Sequence, residues 1–411
     1  MNKPRLVLVG NGMAGVRTLE ELLTLAPDLC DIEVFGAEPH PNYNRILLSP
    51  VLAGEQHFDD IVLNDLGWYK DHGIRVNLGK RIVRIDRARR RVIAEDGSEA
   101  HYDRLLLATG SRPFIPDLPG NRLPGVIGYR DIADTRAMLE AAERYRHAVV
   151  IGGGLLGLEA ANGLVLRGLQ VTVVHRGEWL MERQLDGEAG RLLQQALETR
   201  GIRFCLRANT QALESGPEGR VQAVLLGDGT RLPAELVVMA TGIRPNSELA
   251  ETAGLPCRTG ILVDDTLQTY DPRIYAVGEC VSHRGMQYGL VKPLFDQARV
   301  CATHLARLGT GRYTGSLVAT RLKVTGIELF SAGNFAGDTN SQCITLRDPE
   351  NGVYRKLVLR DDRLVGACLF GDSSDSVWYQ QLIRDANDLS TCRNRVIFGE
   401  AYSRPGDCHH A

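Results

Sequence analysis

Two short glycine-bearing turns, each set between an apolar run and a helix-forming stretch, constrain this chain more than any other feature. Leu6-Val7-Leu8-Val9 reads as a buried parallel strand, Gly10-Asn11-Gly12-Met13-Ala14-Gly15 follows at once, and Val16 to Leu23 has helical periodicity. In such a unit Gly10 permits the sharp turn, Gly12 lets the backbone approach a pyrophosphate, and Gly15 allows the helix to pack closely on the strand. The free N–H groups of the helix start attract the anion. Ile32 to Phe35 forms the second strand, and Glu38 beyond it stands near the spacing at which a carboxylate accepts hydrogen bonds from a ribose diol.

One such turn is weak evidence, but the pattern recurs. Ala148 to Ile151 is a strand, Gly152-Gly153-Gly154-Leu155-Leu156-Gly157 is the turn, Leu158 to Leu164 opens a helix, and Gln170 to Val174 is the second strand. Two complete units about 140 residues apart point to two dinucleotides bound at once.

The remaining composition narrows the class. With 411 residues the chain is long enough for two or three domains, each with its own core. Its 48 Lys and Arg against 50 Asp and Glu leave a formal net charge of -2, which carries no polyanion-binding signature, so nucleic acid is not an expected partner. The apolar stretch after Met1 to Arg5 is too short for a signal sequence, and no window supplies about 20 uninterrupted apolar residues. A cytoplasmic chain without a membrane partner is the expectation.

The nine cysteines, Cys30, Cys205, Cys257, Cys280, Cys301, Cys343, Cys368, Cys392 and Cys408, are scattered and never form Cys-x-x-Cys. They read as reduced thiols, many of them in the core, and exclude a zinc ribbon or a ferredoxin-type cluster held by this chain alone. No metal is expected.

With these motifs the chain resembles the flavoproteins with two dinucleotide-binding domains, the superfamily of glutathione reductase and rubredoxin reductase. Leu105 to Pro113 contains the Ala108-Thr109-Gly110 at which that family crosses between domains, and Val237 to Asn246 contains Ala240-Thr241-Gly242 at the return. Ile274 to Glu279 is similar to the family's later FAD motif, with Glu279 in place of Asp. Within the superfamily, Asn42 to Gly54, Leu180 to Asp186 and Thr320 to Ile327 most resemble the flavin portion of bacterial NAD(P)H nitrite reductase large subunits and the electron-transfer subunits of nitrate assimilation. The siroheme region that continues the large subunits has no counterpart in these 411 residues, so nitrite reduction itself is not expected of them.

The resemblance implies an α/β fold of two Rossmann-like dinucleotide-binding domains plus a C-terminal α+β interface domain. FAD binding falls to residues 1–115 and 243–312, NAD(P) binding to 116–242, and the interface domain to 313–411. It implies that Gly10, Gly12, Met13, Ala14, Gly15, Glu38, Arg45, Val83, Ala108, Thr109, Gly110, Arg112, Gly278, Glu279, Lys292 and Pro293 hold FAD. Gly152, Gly154, Leu155, Leu156, Gly157, His175, Arg176, Thr241 and Gly242 hold the nicotinamide nucleotide, with Glu159 beside the nicotinamide.

Disulfide reductases of this superfamily carry two cysteines on the helix that faces the flavin, and Tyr43 to Leu52 contains none. Thiol chemistry is therefore disfavoured. Arg45 instead offers a fixed cation to the FAD pyrophosphate or the flavin edge. The flavin takes hydride from nicotinamide and releases electrons singly, and no side chain is needed as acid or base. The implied acceptor is a rubredoxin, a ferredoxin or a nitrite or nitrate reductase subunit. An NADH oxidase or peroxidase and a non-enzymatic redox sensor are the competing readings. His175-Arg176 after the second strand leans towards NADPH, whereas the nitrite reductase relatives and Glu178 favour NADH, which is the expected nucleotide.

From Tyr313 onward the pattern changes. Arg321 to Ser331, Tyr354 to Arg360 and Leu364 to Phe370 alternate as half-buried strands, Asn351-Gly352 and Asp361-Asp362 mark turns, and Ser376 to Asp388 suits an amphipathic helix. Cys392, Cys408, His409 and His410 read as a frayed tail and its approach rather than a metal site. The resemblance allows a monomer or a homodimer.

Overall fold

The computed structural model describes residues 3–309, 311–316, 319–324 and 326–403, with the backbone alone at 321–324. The chain divides into two compact units. One comprises Met1–Val51, Gln56–Pro113 and Ile243–Ser316, and the other Leu52–Glu55, Phe114–Gly242 and Leu317–Ala411.

The first unit is built on a five-stranded parallel sheet in the order Ile274–Ala276, Arg104–Leu107, Arg5–Val9, Asp31–Phe35, Arg75–Asn77. Its strands are near-continuous apolar runs because both faces are covered. Leu6, Leu8, Val34 and Leu106 pack on one side with the helices Met13–Leu25 and Val291–Leu305, while Val7, Val9, Leu105, Leu107 and Ile274 form a second cluster. Ile82–Asp86, Arg91–Ala94 and Glu99–His101 form a three-stranded antiparallel sheet, and Ser111–Pro113 pairs antiparallel with Ile243–Pro245.

The second unit repeats the arrangement. Its parallel sheet runs Val126–Ile127, Leu236–Met239, His147–Ile151, Gln170–Val174, Arg203–Cys205, so the strand leading into each glycine turn is central in its own sheet with equivalent neighbours on either side. A five-stranded antiparallel sheet follows in the same unit, in the order Ala319–Val324, Ile327–Gly333, Arg363–Phe370, Val353–Arg360, Gln342–Asp348. The helix Ser376–Asp385 packs Tyr379 and Leu382 onto this sheet against Leu357, Leu359 and Leu369. The fold is thus the expected α/β class with two Rossmann-like sheets and a C-terminal sheet domain.

One expected strand is divided. Arg321 to Ser331 is two antiparallel strands, because Val324 pairs with Ile327 and the chain reverses between them. The apolar alternation changes phase across the reversal, from Leu322 and Val324 to Ile327 and Leu329, and Gly326 has φ +82°, so a single strand over this range disregards both the phase break and the glycine. Thr325 lies outside the described residues, as do Cys408, His409 and His410. Asp361 and Asp362 both adopt positive φ, 49° and 55°, as a two-residue hairpin turn requires. Among the described residues no helix is long and apolar enough to cross a membrane.

Candidate functional site

Each glycine turn is shaped by backbone geometry that other residues would break. Gly10 has φ +108° and Gly152 has φ +127°, and a Cβ at either would lie 2.1 Å from the Ala108 carbonyl oxygen or 2.2 Å from that of Ala240. The flanking strands are tied to the turns in the same way twice: Gly10 N–H donates to the Phe35 carbonyl at 2.8 Å, and Gly152 N–H to that of Val174 at 2.9 Å. Gly15 and Gly157 bring their helices onto Ala108 and Ala240, where a Cβ would stand 2.9 Å and 3.1 Å from the alanine side chain.

Gly12 and Gly154 behave differently. A Cβ on Gly12 or Gly154 would meet nothing within 4 Å, so the backbone there borders open space. Both residues are helix N-caps in extended conformation, and neither helix start receives a side-chain cap among the described residues. Uncapped N–H groups opening onto space beside a bare Cα fit a pyrophosphate at both places.

Around the first turn the structure brings together several residues expected to hold FAD. Ala14 touches Gly278, where a Cβ would lie 3.0 Å from that of Ala14. Gly278 N–H donates to Gln297 Oε1 at 2.9 Å, and Glu279 accepts from Ser111 Oγ at 2.7 Å. Thr109 is bound on both its hydroxyl and its carbonyl by Asn246, at 2.7 Å and 2.8 Å, and Asn246 N–H donates to Gly110 O at 2.9 Å. Arg112 is half-exposed and is held by Asn246 Oδ1 at 3.0 Å and by the Glu248 carboxylate.

Glu38 and Arg45 form an ion pair, and Glu38 also accepts from Tyr43 OH at 2.7 Å. Arg45 lies over the Tyr43 ring with 4.9 Å to its centroid. The carboxylate expected at the ribose and the cation expected at the pyrophosphate are therefore neighbours in one cluster. Val83 stands exposed on the three-stranded sheet. Lys292 and Pro293 occupy the first turn of Val291–Leu305, Pro293 buried and Lys292 paired with Asp296 at 3.5 Å.

At the second turn Leu155 and Leu156 begin the helix, and Glu159 sits half-buried in its second turn. Thr241 Oγ1 donates to the Phe114 carbonyl at 2.5 Å, and Phe114 N–H to the Gly242 carbonyl at 2.8 Å. Arg176 is exposed, while Glu178 is occupied by Arg207 at 2.8 Å. His175 is turned under the glycine turn, where its Nδ1 accepts from Gly153 N–H at 3.2 Å.

The supporting residues that motif reading missed are Tyr69, whose hydroxyl donates to Asn11 Oδ1 at 2.7 Å, together with Ser111, Asn246 and Gln297. Ser111 and Asn246 fall inside the two crossing segments, which indicate no partner for them, Tyr69 and Gln297 lie outside every motif, and the bonds span from 19 to 168 residues. The eight described cysteines are unpaired. Cys280, next to Glu279, is fully buried, and burial pushes its thiol above the usual range, which keeps it protonated and poorly reactive. Among the described residues no group of three or more His, Cys, Asp or Glu side chains is arranged for a metal ion.

Comparison with known proteins gives the same picture. The model of the pyridine nucleotide-disulphide oxidoreductases matches residues 4–302, and that of the rubredoxin NAD+ reductase C-terminal domain matches residues 319–387. A nitrite reductase (NAD(P)H) of Bacillus subtilis (strain 168) is 50% identical over 390 residues, covering 95% of this chain and 48% of the relative. The assimilatory nitrate reductase electron transfer subunit of the same organism is 44% identical over 97% of this chain and 51% of its own length. The chain thus spans about half the length of these relatives. Among solved structures, the ferredoxin reductase for the CYP199A2 system from Rhodopseudomonas palustris superposes with a TM-score of 0.85 at 28% identity, over 96% of this chain and all of that one.

Proposed function

Because the chain belongs to the pyridine nucleotide-disulphide oxidoreductase family, we propose that it is an FAD-dependent NAD(P)H oxidoreductase passing electrons to a one-electron carrier or partner reductase subunit in nitrite or nitrate assimilation. The observation that carries this reading is the pair of equivalent glycine turns, each with an extended, uncapped helix start facing open space. In this assignment residues 1–115 and 243–312 bind FAD, 116–242 bind the nicotinamide nucleotide, and 313–411 form an interface domain.

Bound FAD supplies the chemistry that a protein side chain cannot, accepting two electrons as hydride and releasing them one at a time. The chain's own residues hold and orient. Gly10, Gly12, Met13, Ala14 and Gly15 cradle the FAD pyrophosphate, Ala108, Thr109, Gly110 and Gly278 supply close backbone contact, and Glu279 anchors the ribityl chain. Glu38 and Arg45 act at the adenosine side as one charge-compensated unit, the Tyr43 hydroxyl leaving the carboxylate oriented. Val83 and Arg112 border the site, and Lys292 and Pro293 lie beside the flavin. Gly152, Gly154, Leu155, Leu156 and Gly157 receive the second pyrophosphate, with Thr241 and Gly242 at the crossing, Arg176 at the ribose and Glu159 beside the nicotinamide.

No cysteine stands on the segment Tyr43 to Leu52, which supports electron release to a carrier over thiol exchange. A C-terminal domain of the rubredoxin reductase type favours a small iron–sulfur protein such as a rubredoxin or ferredoxin as the direct acceptor. The setting is the cytoplasm, where reduced nicotinamide nucleotides are available. The test is anaerobic mixing with NADH or NADPH, which should bleach the flavin band, followed by addition of each candidate acceptor, ranked by how quickly colour returns. Fast recovery with oxygen alone, matching that with any carrier, would replace this reading with an oxidase.

A further inference from the structure

The two glycine turns are braced differently at their middle residue. In the first, Asn11 reaches out with its side chain and accepts from Tyr69 OH. In the second, Gly153 has no side chain to offer, and the bracing group approaches the backbone itself. Gly153 N–H donates to His175 Nδ1 at 3.2 Å, and a Cβ on Gly153 would lie 2.8 Å from Cγ and 3.1 Å from Cδ2 of that ring. The imidazole therefore fills the space directly beneath the turn.

Both partners are anchored from outside. Val174 O accepts from Gly152 N–H and Gly153 O from Met181 N–H, each at 2.9 Å. His175 N–H donates to Cys205 O at 2.9 Å, and His175 O accepts from Ala208 N–H at 3.0 Å. With ring and turn each fixed to the sheet or its loops, the hydrogen bond between them has little freedom to be replaced.

We propose that His175, unprotonated at Nδ1, is a positioning residue for the second phosphate cradle: it holds the Gly153 amide and so keeps the Gly152–Gly154 turn shaped for the nucleotide pyrophosphate. The inference rests on the reading that this turn takes the nicotinamide nucleotide. An N–H donor needs a lone pair opposite it, so Nδ1 is the acceptor and the ring proton sits on Nε2. A second proton would set two donors against each other and release the turn.

The surroundings keep the ring neutral. Burial moves its pKa below the ordinary histidine value, Glu182 and the Trp179 backbone oppose that shift, and Arg176 reinforces it. Glu178 is engaged by Arg207, and the Cys205 thiol is kept protonated by burial. Nucleotide binding is therefore complete at neutral pH and weakens as pH falls through a value below about 6.5. The side chain following the second strand, which would otherwise read the ribose hydroxyls, is spent on the turn, which leaves ribose recognition to Arg176.

The test titrates NAD+ and NADP+ as non-reacting ligands, and NADH and NADPH kinetically, from pH 5 to 7.5. The proteins compared are the FAD-loaded wild type, His175→Phe and His175→Asn. Loss of a partner for a buried amide predicts that His175→Phe raises Kd and KM roughly tenfold and moves kcat much less. The acid limb of the wild-type Kd should be absent from both variants, and His175→Asn, which retains an acceptor oxygen, should recover most of the affinity. His175→Phe within twofold of wild type, or a wild-type Kd flat across the range, would overturn the assignment, and the wild-type profile decides even where a variant fails to fold. Wild-type protein that binds neither nucleotide would instead remove the reading of the site itself.

Discussion

Ser111 Oγ donates to Glu279 Oε2 at 2.7 Å with both side chains almost withdrawn from solvent, joining positions 168 residues apart. The bond fixes one carboxylate oxygen at the point where the Ile274–Ala276 strand delivers the chain to the proposed flavin site. A hydrogen bond to a charged acceptor contributes about 1.5–3 kcal/mol. Ser111→Ala should therefore lower the apo-protein's unfolding free energy by about that amount and reduce the FAD retained on purification. Glu279→Gln keeps an acceptor oxygen for Ser111, so it should unfold within about 1 kcal/mol of wild type while binding FAD more weakly. Denaturant melts of the apo form and FAD titration separate the two effects, and an unchanged Ser111→Ala would show that the contact contributes nothing.

Asp186 does two jobs in the second unit. It caps the helix Gly187–Glu198 by accepting from Ala189 N–H at 3.0 Å, and its Oδ2 takes Tyr354 OH at 2.6 Å and Lys356 Nζ at 3.3 Å. Burial raises its pKa, but Tyr354, the Ala189 amide and Lys356 outweigh that and leave it depressed. A depressed carboxylate contributes stability that is present above its unfolded pKa of about 3.9 and is lost as pH falls through the folded value. Asp186→Asn should cost about 1–2 kcal/mol at pH 7, with the gap to wild type closing as pH falls below about 3.9. A gap that stays constant with pH would mean that the charge is not what stabilises this contact.

The part of this architecture legible in sequence is the part governed by short-range rules. Both strand-turn-helix units follow from glycine positions and apolar runs, and their strands fall at Arg5–Val9, Asp31–Phe35, His147–Ile151 and Gln170–Val174. Glu38 was reachable by spacing, yet its pairing with Arg45 and Tyr43 was not, because spacing says nothing about which charge folds back onto which. Tyr69, Ser111, Asn246 and Gln297 leave no periodic signal at all. Each is an ordinary polar residue until the fold brings a partner to it. His175 is legible in sequence as a nucleotide contact after the second strand, but not as a brace beneath the turn, because nothing in the spacing says that its ring lies against Gly153.

Arg355 anchors the C-terminal sheet domain. Its guanidinium, largely buried, pairs with Asp372 and with Asp375 at 3.1 Å and donates to the Ile397 carbonyl at 3.3 Å. Removing one partner of a buried ion pair leaves the others uncompensated. Because Asp372 remains partly exposed, Arg355→Met should cost about 2–3 kcal/mol, below the full penalty of a dry pair. Urea denaturation followed by far-UV circular dichroism would measure this, and a loss under half a kcal/mol would reduce the cluster to surface decoration.

The sharpest separation of structural from ligand-imposed constraint lies within the glycine turns themselves. A side chain on Gly10 or Gly152 would collide with a carbonyl oxygen and need a backbone angle that L-residues rarely adopt, so alanine there should prevent folding. Gly12 and Gly154 have φ of -98° and -86° and open space beyond the Cα, so the protein alone gives no reason for glycine. A valine at either helix N-cap costs at most about 1 kcal/mol. If that space belongs to phosphate, Gly12→Val folds but purifies colourless. Gly154→Val should instead purify yellow, be bleached by dithionite, and resist NADH and NADPH alike. The opposite result, full flavin in Gly12→Val with a normal melting curve, would take the first pyrophosphate away from this turn. Normal nucleotide kinetics in Gly154→Val would do the same for the second, and each turn is tested independently of the other.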